Sequence, residues 1–373
     1  MPKSIRLVVL GTVSACALML SSTAFAAFTS PRLFAHQPDQ RNRVDLLYTQ
    51  STADDPVAKV IHYVPVAYAT NVTTTLAQVG SAVLRTNLSD RNNANFVLSG
   101  VIEVKKATDT YTQGSRQQTL SAAAVACTGR AAHSAYWVAR LRDAGNDLTY
   151  DLPIFVDRLS ASTPFGADAT ITACFQAPDI AASNPNRAPL GMKVREFRLE
   201  LNRVVTTPKS GQLRWSTLTT PFRPRTGTVN DAGTVEVQSV VNYPRAVSIS
   251  RGVRTSMNAG GATFRFTGNV TLPALDRPTV SLFRGATKTQ AGTNTAKAYR
   301  IKQGAGSYAK SHWIRRVPRA QTFYFQVRAF VPNQIQGRAG CAENYHPEIQ
   351  CIQSTRAGYM VRSRTVLVRV PAR

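Results

Sequence analysis

Ala262-Thr263-Phe264-Arg265-Phe266-Thr267-Gly268 alternates apolar and polar side chains. In an extended chain successive side chains point to opposite faces, so Phe264 and Phe266 face a core while Arg265 faces water. This is the signature of a half-buried antiparallel strand. Thr322-Phe323-Tyr324-Phe325-Gln326-Val327-Arg328-Ala329 repeats the pattern, and Thr365 to Val370 supplies a closing strand before the chain ends. Elsewhere, short runs rich in Val, Ile, Thr, Phe and Tyr are separated by Gly, Pro, Asn and Asp, and no long segment keeps an apolar stripe at helical spacing. The expected fold class is all-β, built from two β-sandwich domains.

Working outward, the strand candidates before these are Val44 to Thr49, Ala58 to Ala67, Phe96 to Val104, Ala135 to Leu141, Leu152 to Val156, Ala169 to Phe175 and Val194 to Val205. Asn184-Pro185-Asn186 and Pro208 to Gly211 mark turns among them. Length favours two domains. The Pro- and Gly-containing stretch Thr220 to Gly233 is followed by one more strand-like run, Thr234 to Val241, which places the boundary at Tyr243-Pro244. The domains are then residues 27–243 and 244–373. The first is long for a simple seven-stranded domain, and a larger sandwich or two small ones both fit it.

Charge divides at the same boundary. From Pro244 to Arg373 there are 21 Lys and Arg against three acids, Asp276, Glu343 and Glu348, a local net charge of +18. Between Ala27 and Tyr243 the count is 22 basic against 17 acidic, so the excess belongs to one end. Such an excess points to a polyanionic partner. Seventeen of the 21 cations are Arg, whose planar fork suits bidentate contacts to phosphate or carboxylate.

From Pro244 onward the strand at Ala262 to Val270, the next at Thr279 to Arg284, the run Phe325-Gln326-Val327-Arg328-Ala329-Phe330 and the final strand resemble, in order, an immunoglobulin- or fibronectin-III-like sandwich of the kind appended to secreted bacterial proteins. The segment holding Cys341 and Cys351 departs from that pattern and is expected to be a stapled loop between the last two strands. In the first half, Leu190-Gly191, Thr207-Pro208, Gly211, Trp215 and Thr220-Pro221-Phe222 resemble exported bacterial proteins without an assigned role. The resemblance implies a context and no activity.

Export is also written at the N-terminus. Lys3 and Arg6 form a short basic region, Leu7 to Leu20 an apolar one, and Ala24-Phe25-Ala26 a small-x-small cleavage site, so a signal peptide (residues 1–26) is expected to be removed after Ala26. The apolar stretch is shorter than the about 20 residues of a bilayer-spanning helix. Val13-Ser14-Ala15-Cys16 offers a competing lipobox, in which Cys16 would be lipidated, although Cys16 lies inside the apolar region rather than at its end. Cleavage leaves Cys127, Cys174, Cys341 and Cys351, an even number in an exported chain, hence two disulfides. Four cysteines allow three connectivities. Pairing of neighbours, Cys127 with Cys174 and Cys341 with Cys351, keeps each bridge within one half; loop-closure entropy gives about 4 kcal/mol for the first and somewhat under ~3 kcal/mol for the second.

No catalytic constellation emerges. GxSxG is absent. Ser307-Tyr308-Ala309-Lys310 matches SxxK, with Lys209-Ser210-Gly211 echoing a later Lys-Thr-Gly element, but the order is reversed and the surroundings read as loop and strand. Of Glu103, Glu196, Glu200 and Glu236, alternation puts Glu196 and Glu200 with Arg198 on the solvated face of a strand whose other face is Phe197, Leu199 and Leu201. His36, His62, His133, His312 and His346 are scattered without HxH or HExxH, and the four Cys lack CxxC, so no metal ion or other cofactor is expected. Asp90-Arg91-Asn92-Asn93-Ala94-Asn95 is oxygen-rich yet lacks the closing Glu of an EF-hand, and reads as a polar turn.

One cluster remains: Lys310, His312, Trp313, Arg315, Arg316 and Arg319. On a strand, His312, Ile314 and Arg316 would share one face, and Trp313 and Arg315 the other. An aromatic among cations can stack on a sugar or base while the charges hold phosphate or carboxylate. A core Trp313 with merely solvated arginines is the competing reading of the cluster. The expectation is therefore an exported, secreted or periplasmic, non-catalytic binding protein. Its partners would be anionic polymers of the cell envelope or extracellular matrix, or an anionic membrane surface, with no specific nucleic acid. An extracellular glycan-active enzyme and a structural or adhesive module without a ligand are the alternatives.

Overall fold

A computed structural model describes residues 28–373 except 38–41, 73–75, 146–147, 160–165, 207–210, 244, 274–275, 294 and 343–347. The signal peptide, Cys16, the Lys209-Ser210 pair, Pro244, Glu343 and His346 therefore lie outside the described residues. The chain is all-β, with a few short helical turns.

The N-terminal half is organised around one long sheet. Its strands, in spatial order, are Arg32–His36, Arg43–Thr49, Met192–Asn202, Gln78–Leu88, Ala94–Lys105, Ala135–Arg142, Thr149–Arg158, Ala167–Cys174, Val57–Pro65, Gly211–Pro221, Val235–Tyr243, Cys351–Arg356 and Gln334–Gly337. The sheet folds over a single core, so that its first strands face its last ones. Phe197 meets His62 and Phe175 across that core, with ring centroids 6.1 and 5.4 Å apart. Tyr48 Oη and Thr219 Oγ1, from opposite layers, are 2.8 Å apart. The ends of the sheet are tied by side chains: Ala35 N donates to Ser239 Oγ at 2.9 Å, and Thr355 Oγ1 donates to Leu33 O. This larger sandwich resolves the choice that length left open.

Alternation positions the core as expected. In Met192–Asn202 the buried set is Met192, Val194, Phe197, Leu199 and Leu201. Glu196 and Glu200 stand on the other face and meet cations: Arg85 Nε lies 3.3 Å from Glu196, and Arg198 Nη2 lies 2.7 Å from Glu200. Gln78–Leu88, Gly211–Pro221 and Arg32–His36 are among the strands that escape the sequence pattern. The first carries Gly80 where a side chain would overlap the Glu200 carbonyl of the adjacent strand, so a glycine that reads as a breaker marks a close approach of backbones.

The helices were not foreseen either. α1 (Leu120–Thr128) begins at Thr119, whose hydroxyl accepts from Ala122 N, and ends at Gly129 in the left-handed conformation with φ 75°. It lays Leu120, Ala123 and Ala124 on Tyr111, Tyr136, Val138 and Phe155. Apart from Leu120 its buried face is small alanines, which is why no helical stripe of large residues announced it.

The C-terminal half forms two packed sheets. The front sheet consists of Ala246–Val247, Gly261–Thr271, Val253–Met257 and Gly306–Arg315. The back sheet holds Lys297–Gln303, Thr279–Gly285 and Gln321–Val331, with Tyr359–Arg362 and Val366–Val370 sharing the last strand's far edge. Phe264, Phe266, Leu282, Ile314, Phe325 and Val327 fill the space between them, and Arg265 is exposed. On the back sheet's outer face Arg328 is buried beneath the short helix α2 (Lys288–Gly292), where its Nη2 donates to the Ala291 and Thr293 carbonyls at 2.5 and 2.8 Å. Carbonyls left over at a helix end accept these bonds.

The disulfides are Cys127–Cys174 and Cys341–Cys351. The second does not staple a loop of the C-terminal sandwich. Its flanking strands return to the N-terminal sheet, where Cys351–Arg356 runs parallel to Val235–Tyr243 and Gln334–Gly337 pairs antiparallel with it. That addition covers an edge of unpaired backbone groups which Val235–Tyr243 would otherwise present.

Candidate functional site

The predicted cluster sits on Gly306–Arg315 and the turn after it, and the pleat sorts its members. Trp313 and Arg315 project from the outer face of the front sheet; Trp313 is 54% exposed, which excludes the core placement. In register with them on the neighbouring strand are Thr263 opposite Trp313, Gly261 opposite Arg315, and Arg265 opposite Ser311. A Cβ added at Gly261 would overlap the Trp313 indole, so the ring lies flat across that glycine. The indole is exposed beside that glycine, with the exposed guanidinium groups of Arg315 and Arg265 on the same sheet face.

The other members do different work. His312 and Ile314 are buried on the inner face. His312 packs against Tyr299 at 4.3 Å and Phe325 at 5.5 Å; burial first, then Arg284, Lys310 and Lys297, lower its pKa to about 4, so it is neutral near pH 7. It is not part of an exposed anion site. Lys310 is half-buried. Arg316 is a structural brace, its Nη1 donating to Asn258 O at 3.1 Å and its Nη2 to Ala372 O. Arg319 is exposed in the following turn. Arg265 and Gly261 were not foreseen as partners of Trp313. The strand containing Arg265 was legible, but its antiparallel register with Gly306–Arg315 was not.

The ion pairs follow the charge boundary. Among the described residues, acids of the N-terminal half pair with cations of the same half: Asp45 with Arg43 and Arg198, Glu103 with Lys105 and Arg140, Asp157 with Arg130, and Asp90 with Arg187. Lys105, and then Arg140, hold the Glu103 carboxyl below the usual range. In the C-terminal half the ion pair found among the described residues is Arg356 with Asp276, at 2.9 Å and buried, with Tyr359 also donating to Asp276. No described ion pair joins a cation of the C-terminal half to an acid of the N-terminal half. Most of its basic side chains, including Arg251, Arg254, Arg277, Lys297, Arg300 and Arg369, are exposed.

Two places invite a catalytic reading. Thr128 Oγ1 lies 3.0 Å from His133 Nε2, and His133 Nδ1 lies 2.9 Å from Asp157 Oδ2, an array of hydroxyl, imidazole and carboxylate. The hydroxyl, however, donates to Ala124 O at 2.8 Å within α1. It also lies 3.2 Å from Arg130 O, and the array fastens the end of α1 to the strand Thr149–Arg158. Glu236 is the other: it is buried, accepts from Ser216 Oγ at 2.6 Å and from Gln238 Nε2 at 2.7 Å, and burial raises its pKa. Both bonds lie inside the sheet's packing against the Cys341–Cys351 segment, where Arg214 Nη1 and Ala342 N share the Gln238 carbonyl oxygen at 2.8 and 2.9 Å. Asp55 and Asp179 line a hollow with Lys193, whose Nζ donates to Thr52 O at 2.8 Å. Among the described residues no group of three His, Cys, Asp or Glu side chains is arranged to hold a metal ion.

No protein-family description matches the chain, and no curated protein resembles it closely enough to be counted as a relative.

Proposed function

We propose that the chain is an exported, non-catalytic binding protein that attaches to anionic polymers of the cell envelope or extracellular matrix through its basic C-terminal sandwich, a module of immunoglobulin- or fibronectin-III-like type. The observation that carries this reading is the exposed set of cations on that half, none of them in a described ion pair, with Trp313 laid across Gly261 on the sheet face shared by Arg265 and Arg315. A ring of the polymer would stack on the exposed indole while the guanidinium groups engage its phosphates or carboxylates. Two disulfides suit an oxidising compartment outside the cytoplasm. Among the described residues no helix is long and apolar enough to cross a membrane. An anionic membrane surface would be met by the same side chains.

The test is sedimentation of the purified full chain with bacterial envelopes at low salt. The wild-type protein is expected in the pellet, and a variant combining Trp313→Ala with Arg265→Glu and Arg315→Glu largely in the supernatant, with an unchanged melting temperature. Wild-type protein that stays in the supernatant would remove the proposal.

A further inference from the structure

The outer face of the front sheet is laid out as a short track. Across Gly261–Thr271 and Gly306–Arg315 the side chains on this face form rungs: Gly261 with Arg315, Thr263 with Trp313, Arg265 with Ser311, and Thr267 with Ala309. Trp313 is the large apolar side chain of the set, and it is exposed. Apart from the two arginines, the others are no bulkier than threonine, so a ligand can lie along the strands without meeting an obstruction on these rungs. Val253, opposite Arg265 on the next strand, adds an exposed apolar margin. Val253–Met257, Gly261–Thr271 and Gly306–Arg315 contain no Asp or Glu to repel an anion.

Strand geometry spaces the charges along this track. Side chains on one face recur every second residue, about 7 Å along the strand. Arg315 is one such step from Trp313, and Arg265, opposite Ser311, is one step away in the other direction and one strand over. The indole therefore lies between two cationic positions set about 14 Å apart along the strands, more than one sugar ring spans. Each position carries one guanidinium, whose planar fork matches one carboxylate. Among the described residues neither arginine takes part in a salt bridge.

We infer, resting on the attachment to anionic polymers proposed above, that this face binds a linear oligosaccharide of hexuronate units and takes three consecutive units. The middle ring stacks on Trp313, and the rings on either side each present one carboxylate, to Arg315 and to Arg265. Polyphosphate and lipid headgroups bring charge without a sugar ring at that spacing, so they engage the arginines and leave the indole unused.

The chain has three tryptophans, and Trp137 and Trp215 are buried in the N-terminal core, so quenching of fluorescence by acrylamide reports on Trp313. The full chain is titrated at low salt with monomers, dimers, trimers and tetramers of galacturonate and of mannuronate. In at least one series the trimer is expected to protect Trp313 and to bind at least about tenfold more tightly than the monomer, with little further gain in the tetramer. Cellotriose, a neutral trimer, is expected to bind at least about tenfold more weakly. Followed by calorimetry, Trp313→Ala should weaken the trimer at least about tenfold and leave polyphosphate affinity unchanged, whereas Arg265→Gln should weaken both. Trp313→Thr supplies the answer if the alanine variant fails to fold. Polyphosphate binding without trimer binding would overturn the inference and leave attachment to polyanions standing; binding of neither would remove both. Equal affinity for monomer and trimer, or equal loss of trimer and polyphosphate in Trp313→Ala, would also overturn it.

Discussion

Trp313 shows what one residue can and cannot announce. Its place among cations was legible, and so was the alternation that sets it opposite His312. Whether it lies in the core or on the surface depends on Gly261, fifty positions away in sequence, and no local pattern links the two. Histidines were visible only as scattered letters, yet burial lowers the pKa of His36, His62 and His312 and gives them a thermodynamic role. His62 is fully buried, bonded through Nδ1 to Thr217 Oγ1 at 2.7 Å, and burial lowers its pKa from 6.5 to about 3. The unfolded chain takes up a proton below pH 6.5 that the folded chain does not, so His62 favours the fold fully above that pH and loses its contribution as pH falls toward 3. Each pH unit in the window costs about 1.4 kcal/mol. His312 adds in the same direction between 6.5 and about 4. Glu236, whose pKa is raised, opposes them at the acid end. Urea unfolding at pH 7 and pH 4.5 should therefore show a steeper loss for wild type than for His62→Phe. The variant should be weaker at pH 7 by about 1 to 3 kcal/mol because the Thr217 hydroxyl loses its partner. Equal losses in the two proteins would contradict this assignment.

At the scale of elements, strands declared themselves where large apolar residues alternate, as in Gly261–Thr271 and Met192–Asn202. They hid where glycine admits a neighbouring backbone, as at Gly80, and α1 hid because its buried face, apart from Leu120, is alanine. The pairing of cysteines was accessible from sequence, but the role of the Cys341–Cys351 segment was not. Parallel pairing of Cys351–Arg356 with Val235–Tyr243 is a long-range contact, and a local pattern carries no register for it. Opening that bridge should loosen this strand in particular. Cys341→Ser with Cys351→Ser is expected to lower stability by somewhat under ~3 kcal/mol. In hydrogen–deuterium exchange the amides of 351–356 should lose protection while those of Gly261–Thr271 keep theirs. Uniform exchange across both strands would show that the bridge does not hold the added edge in place.

Across the whole molecule the two halves differ in how they handle charge. The N-terminal sandwich pairs several of its acids internally, such as Glu200 with Arg43 and Arg198. The C-terminal sandwich has three acids for 21 cations, and its described ion pair is sealed in the interior. This asymmetry was legible from composition alone, because the acids needed to cancel it are missing from that part of the chain. The structure adds that the preceding half does not supply them among the described ion pairs. Cations exposed in this way draw polyanions by attraction and by release of condensed counterions, and both effects weaken with added salt. The most direct measurement is the affinity of the full chain for immobilised polyphosphate and polygalacturonate, with neutral dextran as control, between 50 and 200 mM NaCl. The predicted result is a linear fall of log K with log salt, each phosphate contact adding roughly −0.7 to the slope by analogy with single-stranded nucleic acid, and no retention on dextran. Affinity independent of salt, or equal retention on the neutral polymer, would contradict the account.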